Sequence, residues 1–328
     1  MNENKVNKEY EYSILIGYDS EGNRYEYSIK DLLDFSLEIY SKEEQVQYLD
    51  DIIQDVEHYR KSEILTDIED LNYSLPIKLG YKEDGNIYCG DLRKMGHILI
   101  GGASGQGKGI VMKNIAISLL ADKKPSDLGL IFIDPSKSVF DQFTPLCTIY
   151  NVDGDAIEPG IQSDTAVVLK TLDSLEAIQF QRLELLKTVN SINLHEYETK
   201  TGISMQNIVV LIYSYDHFAI ESDSFLKKIA HILEIGHRVG IHVVMATMRI
   251  TYKFLPLMIN ANIPSRISLR VASKAESRTL IHSPKAVDIK QCGDMYISVP
   301  FEELQLIHGF NTSGEKIEEI VAKYYGKK

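Results

Sequence analysis

An α/β fold with a mainly parallel sheet is predicted from three observations. Continuous apolar runs recur along the chain with helical patterns between them, as strands buried on both faces require. One of those runs, His97-Ile98-Leu99-Ile100, leads into a glycine-rich loop and then a helical pattern. The 328 residues, 44% hydrophobic and 25% charged, suffice for one large core plus a small additional domain.

Taken in order, residues 10–29 alternate around Ser20-Glu21-Gly22-Asn23 as a hairpin would. Residues 30–70 carry the spacing of two or more acidic amphipathic helices. Leu32, Leu33, Phe35, Leu37 and Ile39 mark the first, and Leu49, Ile52, Ile53 and Val56 the second. Residues 1–72 therefore read as a small α+β N-terminal appendage, its acidic face either solvated surface or a binding patch. Residues 73–328 form the main domain. Strands are predicted over 97–101, 130–134, 147–152, 207–213, 241–247 and 266–271, and helices over 108–121, 163–188, 222–239 and 275–282. In such a sheet ligands sit at the carboxyl ends of the strands.

The loop at one of those ends is Gly-Gly-Ala-Ser-Gly-Gln-Gly-Lys-Gly over residues 101–109. It sets Gly102, Gly107 and Lys108 in the G-x-x-x-x-G-K positions of a phosphate-binding loop. Backbone N–H groups of Ala103, Ser104, Gly105, Gln106 and Gly107, the helix N-terminus and Lys108 make a cradle for the phosphates of ATP or ADP. The next position calls for a Ser or Thr hydroxyl to ligate Mg²⁺, and it is Gly109. A role for Mg²⁺ stays open on these grounds.

The net charge of −12 disfavours broad attraction to nucleic acid or an anionic membrane, and leaves room for a local basic groove. Cys89, Cys147 and Cys292 are scattered and lack metal spacing, which fits a reducing, cytoplasmic setting. His195, His217, His231, His237 and His242 form no metal-binding spacing either, so no metal site is expected. No apolar run is long enough for a membrane span, and Met1-Asn2-Glu3-Asn4-Lys5 is no signal peptide.

From about Leu75 to Ile297 the chain resembles the motor domain of the FtsK/SpoIIIE family of DNA translocases. The stretches that carry the resemblance occur in order. They are Asp91-Leu92-Arg93-Lys94-Met95-Gly96-His97, the loop itself, Ile131-Phe132-Ile133-Asp134-Pro135, and Arg238-Val239-Gly240-Ile241-His242 running into Ala246-Thr247. Ala261-Asn262-Ile263-Pro264-Ser265-Arg266, Ser273-Lys274-Ala275-Glu276-Ser277-Arg278-Thr279 and Gly293-Asp294-Met295 follow. The resemblance implies a RecA-like P-loop ATPase core that binds ATP, assembles as a ring and acts on double-stranded DNA. It also implies a homo-oligomer, or a hetero-oligomer beside an active motor. The winged-helix module and the membrane anchor of family members are not expected in this chain.

The departures from the family fall at one site. Where the family strand ends in Asp-Glu, which serve Mg²⁺ and the attacking water, this chain has Tyr213 and Ser214. Tyr is neutral at pH 7 and Ser is a poor base. Asp216 lies three residues on, about 10 Å along an extended chain and out of reach unless the strand bulges. The family's Gln near the γ-phosphate is replaced by Met248. With Gly109, these losses predict weak or absent hydrolysis, because phosphoryl transfer needs metal neutralisation and a positioned water.

Other positions keep two readings. Asp134 caps a turn or binds metal. Arg182 lies on a solvated helix face or bridges subunits, and Lys274 and Arg278 make surface ion pairs or contacts in trans to a neighbour's nucleotide. The family's pore-facing Lys is replaced by Asn260, which leaves Lys253 as the cation for a DNA phosphate. The apolar run Phe254, Leu255, Leu257, Met258 and Ile259 is a buried helix or a protein-contact surface. Three functions remain open: a nucleotide-binding, hydrolytically weakened motor subunit, an active translocase with Asp216 or Asp134 as its carboxylate, and an interaction module of a secretion or conjugation apparatus.

Overall fold

The computed structural model describes residues 73–144, 157, 160–251 and 253–326, together with two strands near the start of the chain. Those two, β1 (Ser13–Tyr18) and β2 (Arg24–Ser28), pair antiparallel with an irregularity between Leu15 and Gly17, as the alternation predicted. The turn between them, the helices expected over 30–70 and the strand expected over 147–152 lie outside the described residues.

Among the described residues the main body is a sheet of ten strands, with helices on both faces. Its parallel part holds β5 (Ile98–Gly101), β6 (Leu128–Ile133), β7 (Ile161–Gln162), β8 (Asn207–Ile212), β9 (Ile241–Thr247) and β10 (Ser265–Ser268). Their order across the sheet is β10-β5-β9-β8-β6-β7, every neighbour parallel. Beyond β10 the sheet continues antiparallel through β11 (Asp294–Ser298), β12 (Gln305–Gly309), β3 (Pro76–Lys82) and β4 (Ile87–Asp91).

β5, β6, β8 and β9 are buried along their whole lengths, which is why they read as unbroken apolar runs. One face is covered by α2 (Lys108–Asp122), which follows a one-turn α1 (Leu92–Met95), and by the C-terminal helix Gly314–Gly326. Val111, Ile115 and Leu119 meet Ile317, Ile320 and Tyr324 there, and the Tyr324 hydroxyl donates to Leu128 O at 2.9 Å. The other face is covered by α3 (Thr165–Thr188) and, after α4 (Leu194–Thr201) and α5 (Tyr215–Glu221), by α6 (Asp223–Ile235). Leu172, Leu175, Phe225 and Ile229 pack there on Val210 and Val243. The predicted helix 222–239 is α6 followed by a 3₁₀ turn over Gly236–Val239. A one-turn α7 (Leu257–Asn260) and α8 (Lys274–Ile281) complete the crossovers near β10. Ser273 and Glu276 form a reciprocal cap that fixes the start of α8.

Candidate functional site: the phosphate loop and its neighbours

β5 delivers the chain to the loop, and α2 starts at Lys108 directly after it. Gly105 and Gly107 have φ of 73° and 100°, left-handed values that a side chain would strain, and those turns aim successive N–H groups inward. The loop is braced from the residues just before β11: Gly293 N donates to Gln106 O at 3.3 Å, and the Cys292 thiol to Gly105 O at 3.1 Å. Lys108 is buried, and its Nζ donates to Gly102 O and Ala103 O at 2.8 Å each. Burial pulls its pKa down to about 8, against the opposing pull of the Asp216 carboxylate. At neutral pH the group is still mostly cationic and can meet an anion.

The Mg²⁺ side of the site is built differently. A Cβ placed on Gly109 would lie 3.2 and 3.3 Å from the two Val139 methyls and 3.9 Å from the Tyr213 ring. The space where a hydroxyl would reach out is thus lined by a valine and a tyrosine. Burial, then Asp134 and Asp216, raise the Tyr213 phenol, which keeps it neutral. Asp134 caps its own turn, accepting from Ser136 N and Oγ and from Val139 N at 2.7–2.9 Å. No cluster of three His, Cys, Asp or Glu able to hold a metal occurs among the described residues. The donors of the loop suit phosphate oxygens.

Asp216 corrects the expectation drawn from an extended chain. β8 ends at Ile212, Ser214 takes a left-handed φ of 51°, and Asp216 comes round in the first turn of α5. Its buried carboxylate accepts from Thr247 Oγ1 at 2.9 Å and pairs with Arg249 Nε at 3.4 Å. Neither that network nor Val139 was singled out in the sequence. A turn-forming carboxylate two residues beyond Ser214 was the one usable signal for the first, and Val139 had none. Met248 is exposed at the end of β9 and presents no polar atom there beyond a thioether.

Arg182 requires a second correction. It does not lie on a solvated face, because its guanidinium donates to Val239 O at 2.7 Å and Gln206 O at 2.8 Å within the subunit. Lys274 and Arg278 are exposed on α8, and Lys253 is exposed with its Nζ 5.6 Å from the Phe254 ring centre. The apolar run divides. Phe254, Leu255 and Ile259 are buried, whereas Leu257 and Met258 are 78% and 51% exposed. No helix among the described residues is long and apolar enough to cross a membrane.

Residues 67–287 match the model of the FtsK/SpoIIIE family. The chain is 29% identical over 255 residues to the DNA translocase FtsK of Oceanobacillus iheyensis, covering 74% of this chain and 32% of that protein. It is 32% identical over 231 residues to the DNA translocase FtsK of Chlorobaculum tepidum, covering 68% and 28%. The chain thus spans about a third or less of each relative's length. Its fold resembles the pCW3 conjugation coupling protein TcpA, solved as a monomer with ATPγS. That similarity has a TM-score of 0.67 at 19% identity, over 78% of this chain and 71% of that one.

Proposed function

Because the chain belongs to the FtsK/SpoIIIE family, we propose that it is a nucleotide-binding member whose hydrolysis is lost or weak, acting as a structural or regulatory subunit beside an active motor. One observation carries this reading: Val139 and Tyr213 line the space where position 109 would offer Mg²⁺ a hydroxyl. The loop N–H groups of residues 103–107 and the Lys108 ammonium hold the phosphates of ATP or ADP. Lys108 balances phosphate charge, and the left-handed glycines hold the donors in place before the ligand arrives. Tyr213, Ser214 and Met248 supply neither a base nor a positioned water. Lys274 and Arg278 serve a neighbour's phosphates, and Lys253 meets a duplex DNA phosphate.

Calorimetric titration of ATP with and without Mg²⁺, with phosphate release followed on the same sample, tests the reading. Micromolar to millimolar binding is expected, roughly −8 to −4 kcal/mol. It should depend little on Mg²⁺ and weaken clearly in Lys108→Ala, with turnover at background whether or not duplex DNA is added. A robust DNA-stimulated rate, abolished by Lys108→Ala, overturns it. That outcome would favour the second reading, an active translocase, for which the support is the Asp216 carboxylate buried near Lys108.

A further inference from the structure

Phe301 sits at the turn between β11 and β12 with its side chain fully exposed and a φ of 66°. Both features are unfavourable. An exposed ring forgoes burial, and a bulky residue in left-handed backbone is strained. Glu302 and Glu303 follow, also exposed, and the turn is closed by Glu302 N donating to Val299 O at 3.2 Å. The result is an aromatic knob beside two carboxylates.

The knob stands at the end of the sheet away from the phosphate loop. Ser298 pairs with Arg266 at the start of β10, and Ser265 pairs with Ile98 at the start of β5. The chain therefore leaves β11 beside the amino ends of the parallel strands. A cavity of about 700 Å³ opens at that same end, lined by Arg93, Lys94, Ile192, Leu194, His237 and Arg238. Its exposed apolar residue is Ile192, 66% exposed. Lys94 and Arg238 stand exposed on it. Arg93 is already paired with Glu198 at 2.8 Å, and Asp91 is turned inward onto the backbone N–H groups of Ser74, Leu75 and Arg93. What the cavity presents outward is the Ile192 side chain, the imidazoles of His195 and His237 and two cations, in a chain of net charge −12.

We propose that this cavity receives the Phe301 turn of a second copy of this chain. The ring packs on Ile192, and Glu302 and Glu303 face Lys94 and Arg238. Apolar fit and opposite charge recommend the same occupant independently. Knob and cavity share one end of the molecule, so each copy gives and receives, and the assembly is a two-fold dimer. The contact lies away from the phosphate loop and needs no nucleotide, so it can stand or fall separately from the nucleotide-linked assembly proposed above.

Sedimentation equilibrium of the nucleotide-free full chain tests it. The wild type should dimerise, Lys108→Ala should dimerise equally, and Phe301→Asp should weaken the dimer by at least about tenfold. Glu302→Lys/Glu303→Lys and Lys94→Glu/Arg238→Glu should each be weakened alone. An equimolar mixture of the two should dimerise again, because both reciprocal contacts then regain opposite charges. Circular dichroism of each variant verifies that these surface changes leave the fold intact. A wild type that stays monomeric through the micromolar range, a dimer indifferent to Phe301→Asp, or a mixture that fails to associate overturns the proposal.

Discussion

Val139 stands against Gly109, its methyls 3.2 and 3.3 Å from where a Cβ on that residue would be. The two positions are thirty residues apart in sequence, yet together they shape the face of the loop on which Mg²⁺ would be expected. Contacts that tight oblige the valine to shift before any side chain fits. A serine there gains up to about 0.5 kcal/mol of helix propensity over glycine. Overpacking costs about 1–3 kcal/mol. Gly109→Ser should therefore leave stability, read by urea denaturation, within about 1 kcal/mol of the wild type, since half-buried Val139 need move only a few tenths of an ångström. Gly109→Ser/Val139→Ala removes the methyls and offers a hydroxyl, so ATP affinity should become Mg²⁺-dependent in the double variant. Calorimetry that shows no such dependence would mean that Val139 is not what closes the position.

Lys108 sets a pH dependence. Its pKa in the free protein is about 8, and a bound phosphate raises it, since the anion favours the charged form. Affinity should be level below pH 8, where the ammonium is already protonated. Above pH 8 it should fall by up to about tenfold per unit, because binding must then take up a proton. The fall ends at the higher pKa of the complex. Titrations in buffers of different ionisation enthalpy read that proton directly. A flat profile from pH 7 to 10 would remove Lys108 from the phosphate contact.

Asp216 holds up the Lys108 pKa, so Asp216→Asn should move that break to lower pH. The neutral amide can still meet Thr247 Oγ1, whereas the ion pair with Arg249 is lost. Affinity at pH 7 should drop modestly while phosphate release stays at background. If the variant instead abolishes a measurable turnover, Asp216 is the displaced catalytic carboxylate. The pH break and the turnover assay separate the two roles.

The phosphate loop was legible because its function depends on backbone conformation and one cation, both written into contiguous residues. The parallel strands were legible for a related reason: burial on both faces leaves unbroken runs such as Asn207–Ile212. The antiparallel extension was not. In β3 buried Ile77 and Leu79 alternate with half-buried neighbours, and the only punctuation before β4 is the turn around Asp84 and Gly85. Asp216 was misplaced because distance along an extended chain fails once Ser214 turns left-handed. Val139 could not have been found, since a steric contact across thirty residues has no motif.

Arg182 shows the same limit from the side of stability. Spacing on α3 places it on a helix face, but only the fold brings Val239 O and Gln206 O within 2.7 and 2.8 Å of its guanidinium. Those carbonyls close the approaches to β8 and β9, the strands that Tyr213 and Met248 directly follow. Burial pulls its pKa down to about 10, still far above neutrality, so the charge persists at pH 7. Charged hydrogen bonds contribute about 1.5–3 kcal/mol each. Arg182→Ala leaves two carbonyls short of a donor, and water reaching the half-buried site recovers part of the loss. A net destabilisation of about 2–3 kcal/mol is expected by urea denaturation, with ATP affinity per folded molecule unchanged. Arg182→Lys should recover less than half, because one ammonium cannot copy the two-pronged geometry. If Arg182→Ala instead keeps full stability and loses nucleotide-linked assembly, the residue serves a neighbouring subunit after all.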